Sequence, residues 1–118
     1  MESQITLKYE DVKGNDSAKI VKLIGDLDAT NVEVILEKIC NLFNEGFIHI
    51  FADFSKLRYV NSTGLGILLH FNKLAKEKNG SFKIANVNEN VYEIIEIIGA
   101  TSLLEIYDDM EEALDSLG

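Results

Sequence analysis

Asp53-Phe54-Ser55-Lys56-Leu57-Arg58-Tyr59-Val60-Asn61-Ser62-Thr63-Gly64-Leu65-Gly66 joins the end of an apolar run to the start of a helical pattern. Upstream, Phe47 to Phe54 is nearly continuous in apolar residues, the composition of a strand buried in the middle of a sheet, and Asp53 is expected to end it. Downstream, a helical pattern runs from about Ser62 to Lys78 and stops at Asn79-Gly80. The short connection between them, Asp53 to Val60, is followed directly by a group of helix-capping residues, Asn61-Ser62-Thr63.

Toward the N-terminus, Ile5, Leu7 and Tyr9 alternate with polar residues, and Ile20 to Ile24 is a second β-rich run. Lys13-Gly14-Asn15-Asp16 lies between them as a turn signal, so the chain opens with a hairpin. Asp26-Leu27-Asp28-Ala29 then reads as a polar loop after Gly25, and Thr30 with Glu33 has the spacing of a capping box. Val32, Ile35, Leu36, Ile39, Leu42 and Phe43 follow at helical spacing, and Gly46 ends that helix. Toward the C-terminus come a short strand at Phe82 to Val87, a helix carrying Val91, Ile94, Ile95 and Ile98 that ends at Gly99, and a last strand at Leu103 to Tyr107. Asp108 with Glu111 is a second capping box, for a final helix carrying Met110, Ala113, Leu114 and Leu117. Two strands followed by alternating helix and strand predict an α/β fold: a mixed, mostly parallel β-sheet with an opening hairpin and about four helices. One domain spanning residues 1–118 is expected, because 118 residues that are 47% apolar suffice for a single core and leave no room for a second.

Composition excludes several classes of function. The longest apolar stretches, Ile67 to Phe71 and Ile94 to Ile98, fall far short of the roughly 20 residues a membrane helix needs. Met1 to Tyr9 has no apolar core before a small-residue cleavage site, so no export or anchoring is expected. Cys40 is the only cysteine, which rules out a disulfide framework, fits a reducing cytoplasm and reads as a buried, inert thiol. A formal net charge of -9 disfavours nucleic acid and anionic membrane as partners and leaves other proteins, with basic contact surfaces.

The residues for common enzymatic chemistries do not assemble either. His49, His70 and Cys40 lie on different predicted elements without metal-ligand spacing, and no metal or cofactor is expected. A hydrolase built on Ser62 would need a base beside it, but His70 on the same helix is roughly 12 Å away at a rise of about 1.5 Å per residue. Gly64-Leu65-Gly66 lacks the third glycine of a dinucleotide loop. The four acids Asp108, Asp109, Glu111 and Glu112 suit a helix N-terminus and read as caps. What remains is Asn61-Ser62-Thr63-Gly64. Any one of its three polar residues could cap the helix, and capping accounts for the stretch as well as a functional hydroxyl does. Gly64 and Gly66, at about 1 kcal/mol each against alanine in a helix, suggest close approach of something to the backbone.

On Asp53 through Gly66, with Gly25-Asp26-Leu27-Asp28 and the ending Ile98-Gly99-Ala100 through Leu104-Glu105-Ile106-Tyr107, the chain resembles the STAS family, specifically the bacterial anti-sigma factor antagonists. The resemblance spans essentially the whole sequence. It implies that Ser62 is a phosphorylation site, with Thr63 a less favoured neighbour. It implies as partners an anti-sigma factor that is also a serine kinase and a serine phosphatase that reverses its action. Unphosphorylated protein would bind the anti-sigma factor and free a sigma factor; phosphorylated protein would let go. Asp26, Asp28, Asn61, Ser62, Thr63, Gly64 and Leu65 would form the partner-binding surface. Asn61 departs from the family, which usually has Asp there, and so removes a charge beside the acceptor.

Two other readings remain. The same family supplies subunits of transport and stress-sensing assemblies, and a response-regulator receiver is also a short α/β domain with an aspartate ending a strand, here Asp53. Receivers pair acids after the first strand and carry a lysine after a late one, whereas Asp26 and Asp28 follow the second strand and Asp108 follows the last. The two phosphoacceptors separate chemically. Phosphate incorporated by a cognate kinase is expected to survive hydroxylamine and to map to Ser62; hydroxylamine-labile label at Asp53 would instead favour the receiver.

Overall fold

The structure, a computed structural model, describes residues 4–117. Its elements are β1 (Ile5–Val12), β2 (Asn15–Leu27), α1 (Val32–Asn44), β3 (His49–Val60), α2 (Ser62–Glu77), β4 (Ser81–Ala85), α3 (Glu89–Ile98), β5 (Glu105–Tyr107) and α4 (Met110–Asp115). The five strands form one sheet in the order β1-β2-β3-β4-β5, antiparallel between β1 and β2 and parallel thereafter. The expected opening hairpin and mostly parallel sheet are both present. Because the parallel strands follow one another in sequence order and crossovers are right-handed, α1, α2 and α3 all fall on one face. Ile35, Ile39, Leu65, Leu68, Phe71, Val91 and Ile95 meet Val21, Leu23, Ile50, Ala52, Phe54 and Ile84 there in the main core. Only α4 crosses to the other face, where Ala113, Met110 and Leu114 cover Ala18, Ile20, Phe51 and Ala85. Among the described residues no helix is long and apolar enough to cross a membrane.

Several boundaries differ from expectation, each for a local reason. Val12 pairs with Asn15, so the hairpin turns on Lys13 and Gly14 alone, and Asn15 and Asp16 already belong to β2. Gly14, with φ +81°, supplies the positive φ that such tight turns require. Asp26 and Leu27 are the end of β2 and not a loop: Leu27 is fully buried and pairs with Val60. Asp53 does not end β3. At Asp53 the ladder to β4 stops, and residues 54–60 run on against β2 alone through two register shifts. Those irregularities leave Leu57 and Val60 buried three residues apart, a spacing with no strand period.

Helix starts also differ. The expected Thr30–Glu33 capping box is not formed; Asn31 is the N-cap of α1 and makes no side-chain cap bond. Thr30 instead donates both its amide (2.9 Å) and its hydroxyl (2.6 Å) to Asp28 Oδ1. The second box is shifted by one residue, with Asp109 accepting from the amide of Glu112 at 2.8 Å. β4 ends at Ala85, after which Asn86 takes a positive φ of 63°, and β5 begins only at Glu105, because Gly99 takes a left-handed conformation and Leu103 and Leu104 lie in the turn that follows.

Helix α2 is seated through Gly64. A Cβ there would lie 2.7 Å from the carbonyl oxygen of Leu27 and 2.9 Å from both Leu27 Cγ and Val60 Cγ2, whereas one on Gly66 would meet nothing within 4 Å. The two glycines therefore answer different needs, and the close approach at Gly64 is internal. Gly64→Ala is expected to destabilise the protein by about 1–3 kcal/mol, because a backbone oxygen cannot move aside. Gly66→Ala should stabilise it by up to about 1 kcal/mol. Chemical denaturation of the two variants measures both; equal shifts would contradict this seating.

Candidate functional site

The end of β2, the extension of β3 and the start of α2 meet at the C-terminal end of the sheet. Two backbone contacts fix the junction. The amide of Asn61 donates to the carbonyl of Leu27 at 3.2 Å, and Gly64 lies against that same carbonyl. Asn61 then caps α2, its Oδ1 accepting from the amide of Gly64 at 2.8 Å. Of the three candidate caps, Asn61 makes this bond, so the Ser62 hydroxyl is not the group on which the helix start depends. Ser62 and Thr63 are both exposed, in the first turn of a 16-residue helix that carries no acid in that turn. The aligned peptide dipoles make this a favourable position for added negative charge.

The other expected surface residues divide. Asp26 is half-buried at the end of β2 and faces the Arg58 guanidinium, with Nε 3.4 Å from Oδ1 and a second guanidinium nitrogen 3.4 Å from Oδ2. Asp28 is tied into its own turn by Thr30. Asn61 is partly exposed, but Gly64 and Leu65 are buried, Leu65 at 1%, so their side-chain positions face the core and support the surface from beneath. Asp26, Asp28, Asn61, Ser62 and Thr63 are thus brought to one end of the sheet.

Four residues not singled out in the sequence help hold this end. Asn31, 7% exposed, accepts from the amide of Asp28 at 3.1 Å and donates to the carbonyl of Asp26 at 2.8 Å, which shapes the β2–α1 loop. Asn88 caps α3 through the amide of Val91 and donates to the carbonyl of Leu57 at 2.7 Å, tying α3 to the β3 extension. Asn86, at φ +63°, donates to Asp53 Oδ1 at 3.1 Å. Arg58 pairs with Asp26. An Asn just before the periodic run at Val91 is a cap signal visible in the sequence; the others depend on contacts between distant segments.

Titratable groups elsewhere do not converge on Ser62. His70 is exposed farther along α2, while His49 Nδ1 lies 2.9 Å from Ser81 Oγ at the opposite ends of β3 and β4. Burial, with the charge of Lys83, lowers the pKa of His49, and burial raises that of the half-buried Cys40 thiol. Among the described residues no three His, Cys, Asp or Glu side chains cluster so as to hold a metal ion.

Sheet order, hairpin and helix arrangement define the class. Residues 9–113 match the STAS domain family, and the chain belongs to it. It is 29% identical over 96 residues to the anti-sigma-B factor antagonist of Bacillus subtilis (strain 168), a span covering 81% of this chain and 87% of that protein. Its fold is that of the anti-sigma factor antagonist SpoIIAA. The unphosphorylated form aligns with TM-score 0.78 at 23% identity over 95% of this chain and 96% of that one. The phosphorylated form of the Bacillus protein aligns with TM-score 0.70 at 23% identity, over 96% and 100%.

Asp53 ties this end of the sheet to pH. Burial alone would raise the pKa of its carboxyl, but hydrogen bonds from the Ser55 amide and from Asn86, with the nearby charge of Lys22, more than offset that and hold it below the ordinary range. A carboxyl depressed on folding contributes stability that is complete above its unfolded pKa and is lost as pH falls through the folded one. Thermal unfolding as a function of pH should therefore show stability falling below about pH 4. Asp53→Asn should flatten that fall, and an unchanged slope would show that other carboxyls carry it.

Proposed function

We propose that this protein is a cytoplasmic anti-sigma factor antagonist that acts by binding and not by catalysis, switched by phosphorylation of Ser62. In this reading unphosphorylated protein binds an anti-sigma factor with serine kinase activity and so releases a sigma factor; phosphorylation ends that binding, and a serine phosphatase restores the unphosphorylated form. The observation that carries it is the division of labour at the start of α2. Asn61 caps the helix, so the exposed Ser62 hydroxyl is available for modification without loss of the cap. Family membership and the likeness to the Bacillus subtilis antagonist support the partner type.

Phosphate adds about -1.5 to -2 charges at neutral pH. At the N-terminus of α2 that charge is favourable within the folded protein, so its penalty falls on the complex, through repulsion or desolvation at the interface. Folding and binding must then separate. Ser62→Ala should lose at most about 1 kcal/mol of stability, because the cap is Asn61, and should bind the anti-sigma partner persistently. Ser62→Asp should remain folded but bind about tenfold more weakly or worse, as a partial mimic of phosphate. Thermal unfolding of both variants, paired with calorimetric titration against the partner in the presence of nucleotide, tests this. Wild-type affinity in Ser62→Asp, with phosphate found on Thr63, would move the switch by one residue; binding indifferent to either position would overturn it.

A further inference from the structure

β1 stands at the edge of the sheet, paired on one side only, and runs for eight residues, whereas β5 at the other edge has three. A long edge strand presents main-chain groups that can template another strand. One bond shows which residues present them. The amide of Asp26 donates to the carbonyl of Gln4 at 3.1 Å, and the β1–β2 ladder is regular from Ile5 to Asp11. By alternation Thr6, Lys8 and Glu10 exchange bonds with β2, while Ile5, Leu7, Tyr9 and Asp11 turn their amides and carbonyls outward. Side chains alternate too, with Thr6, Lys8 and Glu10 on one face and Leu7, Tyr9 and Asp11 on the other. Lys8 and Glu10 are exposed, and among the described residues neither forms an ion pair. Lys8 lies opposite Lys22, whose counter-charge is Asp53 on β3, and Glu10 lies opposite Ile20. Tyr9, between them in sequence, is 46% exposed.

Charges on an edge strand ordinarily discourage pairing. In one register these charges favour it. Directly opposed residues of antiparallel strands share a face, so a two-fold axis relating two copies of β1 must pass through a residue. An axis at Lys8 or at Glu10 sets like charges against each other, and one at Asp11 sets two carboxylates together. An axis at Leu7 leaves Lys8 opposite Thr6 and Glu10 unmatched. An axis at Tyr9 places Lys8 of each copy opposite Glu10 of the other, Tyr9 opposite Tyr9, and Thr6 opposite Val12. Leu7 then faces Asp11, whose carboxylate is held by Lys19 of its own chain. The hydrogen-bonded pairs of this register are Tyr9 with Tyr9 and Leu7 with Asp11, the residues whose main-chain groups turn outward. Lys8 and Glu10 fall in the closer, non-hydrogen-bonded pairs. We propose that the protein self-associates through β1, antiparallel and centred on Tyr9, into a two-fold dimer whose two sheets become one. Glu10 of the second copy offsets the like charge that Lys22 presents to Lys8. The contact is isologous and closes on itself. α2 begins where β3 ends, two strands in from this edge, so the pairing is independent of the antagonist reading and does not use Ser62.

A single strand pair is a small interface, below about 1,200 Å², so the dimer is expected to dissociate in the range of about 10–500 μM. Sedimentation equilibrium of the full-length protein from low micromolar to millimolar concentration measures this. Lys8→Glu alone and Glu10→Lys alone should each weaken dimerisation about tenfold or more, because each sets like charges opposite one another twice. An equimolar mixture of these two variants should associate again, and so should the double variant Lys8→Glu with Glu10→Lys, because both arrangements restore opposite charges across the axis. Both side chains are exposed, and thermal unfolding of each variant at low concentration separates loss of pairing from loss of fold. Amide exchange at Leu7, Tyr9 and Asp11 should slow as concentration rises, while Thr6, Lys8 and Glu10 stay protected throughout. A monomer at every concentration would overturn the second copy as occupant of this edge. Association indifferent to both charges would move the interface to another surface, and loss that neither the mixture nor the double variant repairs would overturn the register. Growth beyond the dimer would overturn the two-fold closure, in favour of β1 pairing with β5 of the next copy.

Discussion

The carbonyl of Leu27 is where the two halves of the functional end are joined. It accepts from the amide of Asn61, and the α-carbon of Gly64 passes too close to it to bear a side chain. Leu27 is the last residue of β2, so this contact fixes the start of α2 against that strand. Everything that makes the junction a site follows. Asn61 is held where its side chain can cap Gly64, Ser62 emerges in the first helical turn, and Asp26, one residue before Leu27, lies beside the same junction. The extension of β3 past Asp53 is the other requirement, since without residues 54–60 the chain could not run alongside the end of β2 before turning into the helix.

Sequential strand order divides the molecule's surfaces. With α1, α2 and α3 on one face and only the six-residue α4 on the other, the sheet is asymmetrically covered. The buried Lys83, 6% exposed, lies at the covered end of the second face, where it meets Ser116 Oγ at 2.7 Å, the Tyr107 hydroxyl at 3.4 Å and Glu105 at 3.6 Å. Its lysine counterparts on β1, β2 and β3 have no helix over them. The same topology that supplies a rigid platform for the start of α2 therefore leaves part of the sheet free to meet solvent or a partner.

Element order was legible because each helix carries apolar residues at helical spacing and the strands are β-rich runs set off by turn residues, so period and punctuation agreed. Local signals and structure part where tertiary contacts override them. The last seven residues of β3 carry no strand signal, because they pass through two register shifts and their burial follows the bulges instead of a period of two. Asp26 and Leu27 read as loop because two acids flank one leucine, yet that leucine is pinned in the sheet by Val60. The Thr30–Glu33 box was a correct pattern in the wrong competition, since Asp28 captures Thr30 first. At the site itself, local chemistry was enough to find Asn61, Ser62 and Thr63 as residues opening a helix. It could not assign the cap among them, bury Leu65, or reveal that Gly64 answers to Leu27; those facts belong to packing between segments more than thirty residues apart.

Asn61 sharpens the electrostatics of the junction. An aspartate there would make the same capping bond while placing a negative charge beside Ser62. Asparagine makes the bond without the charge. The first turn of α2 holds no other acid, and the nearby Asp26 carboxylate is faced by Arg58. The positive end of the α2 dipole is therefore not opposed by a charge on its own cap, and a phosphate on Ser62, as proposed, would meet less opposition there than an aspartate neighbour would impose. Under the proposed switch, less of the phosphate's effect would strain the fold, and correspondingly more would be expressed across the surface that covers the start of α2 in the complex.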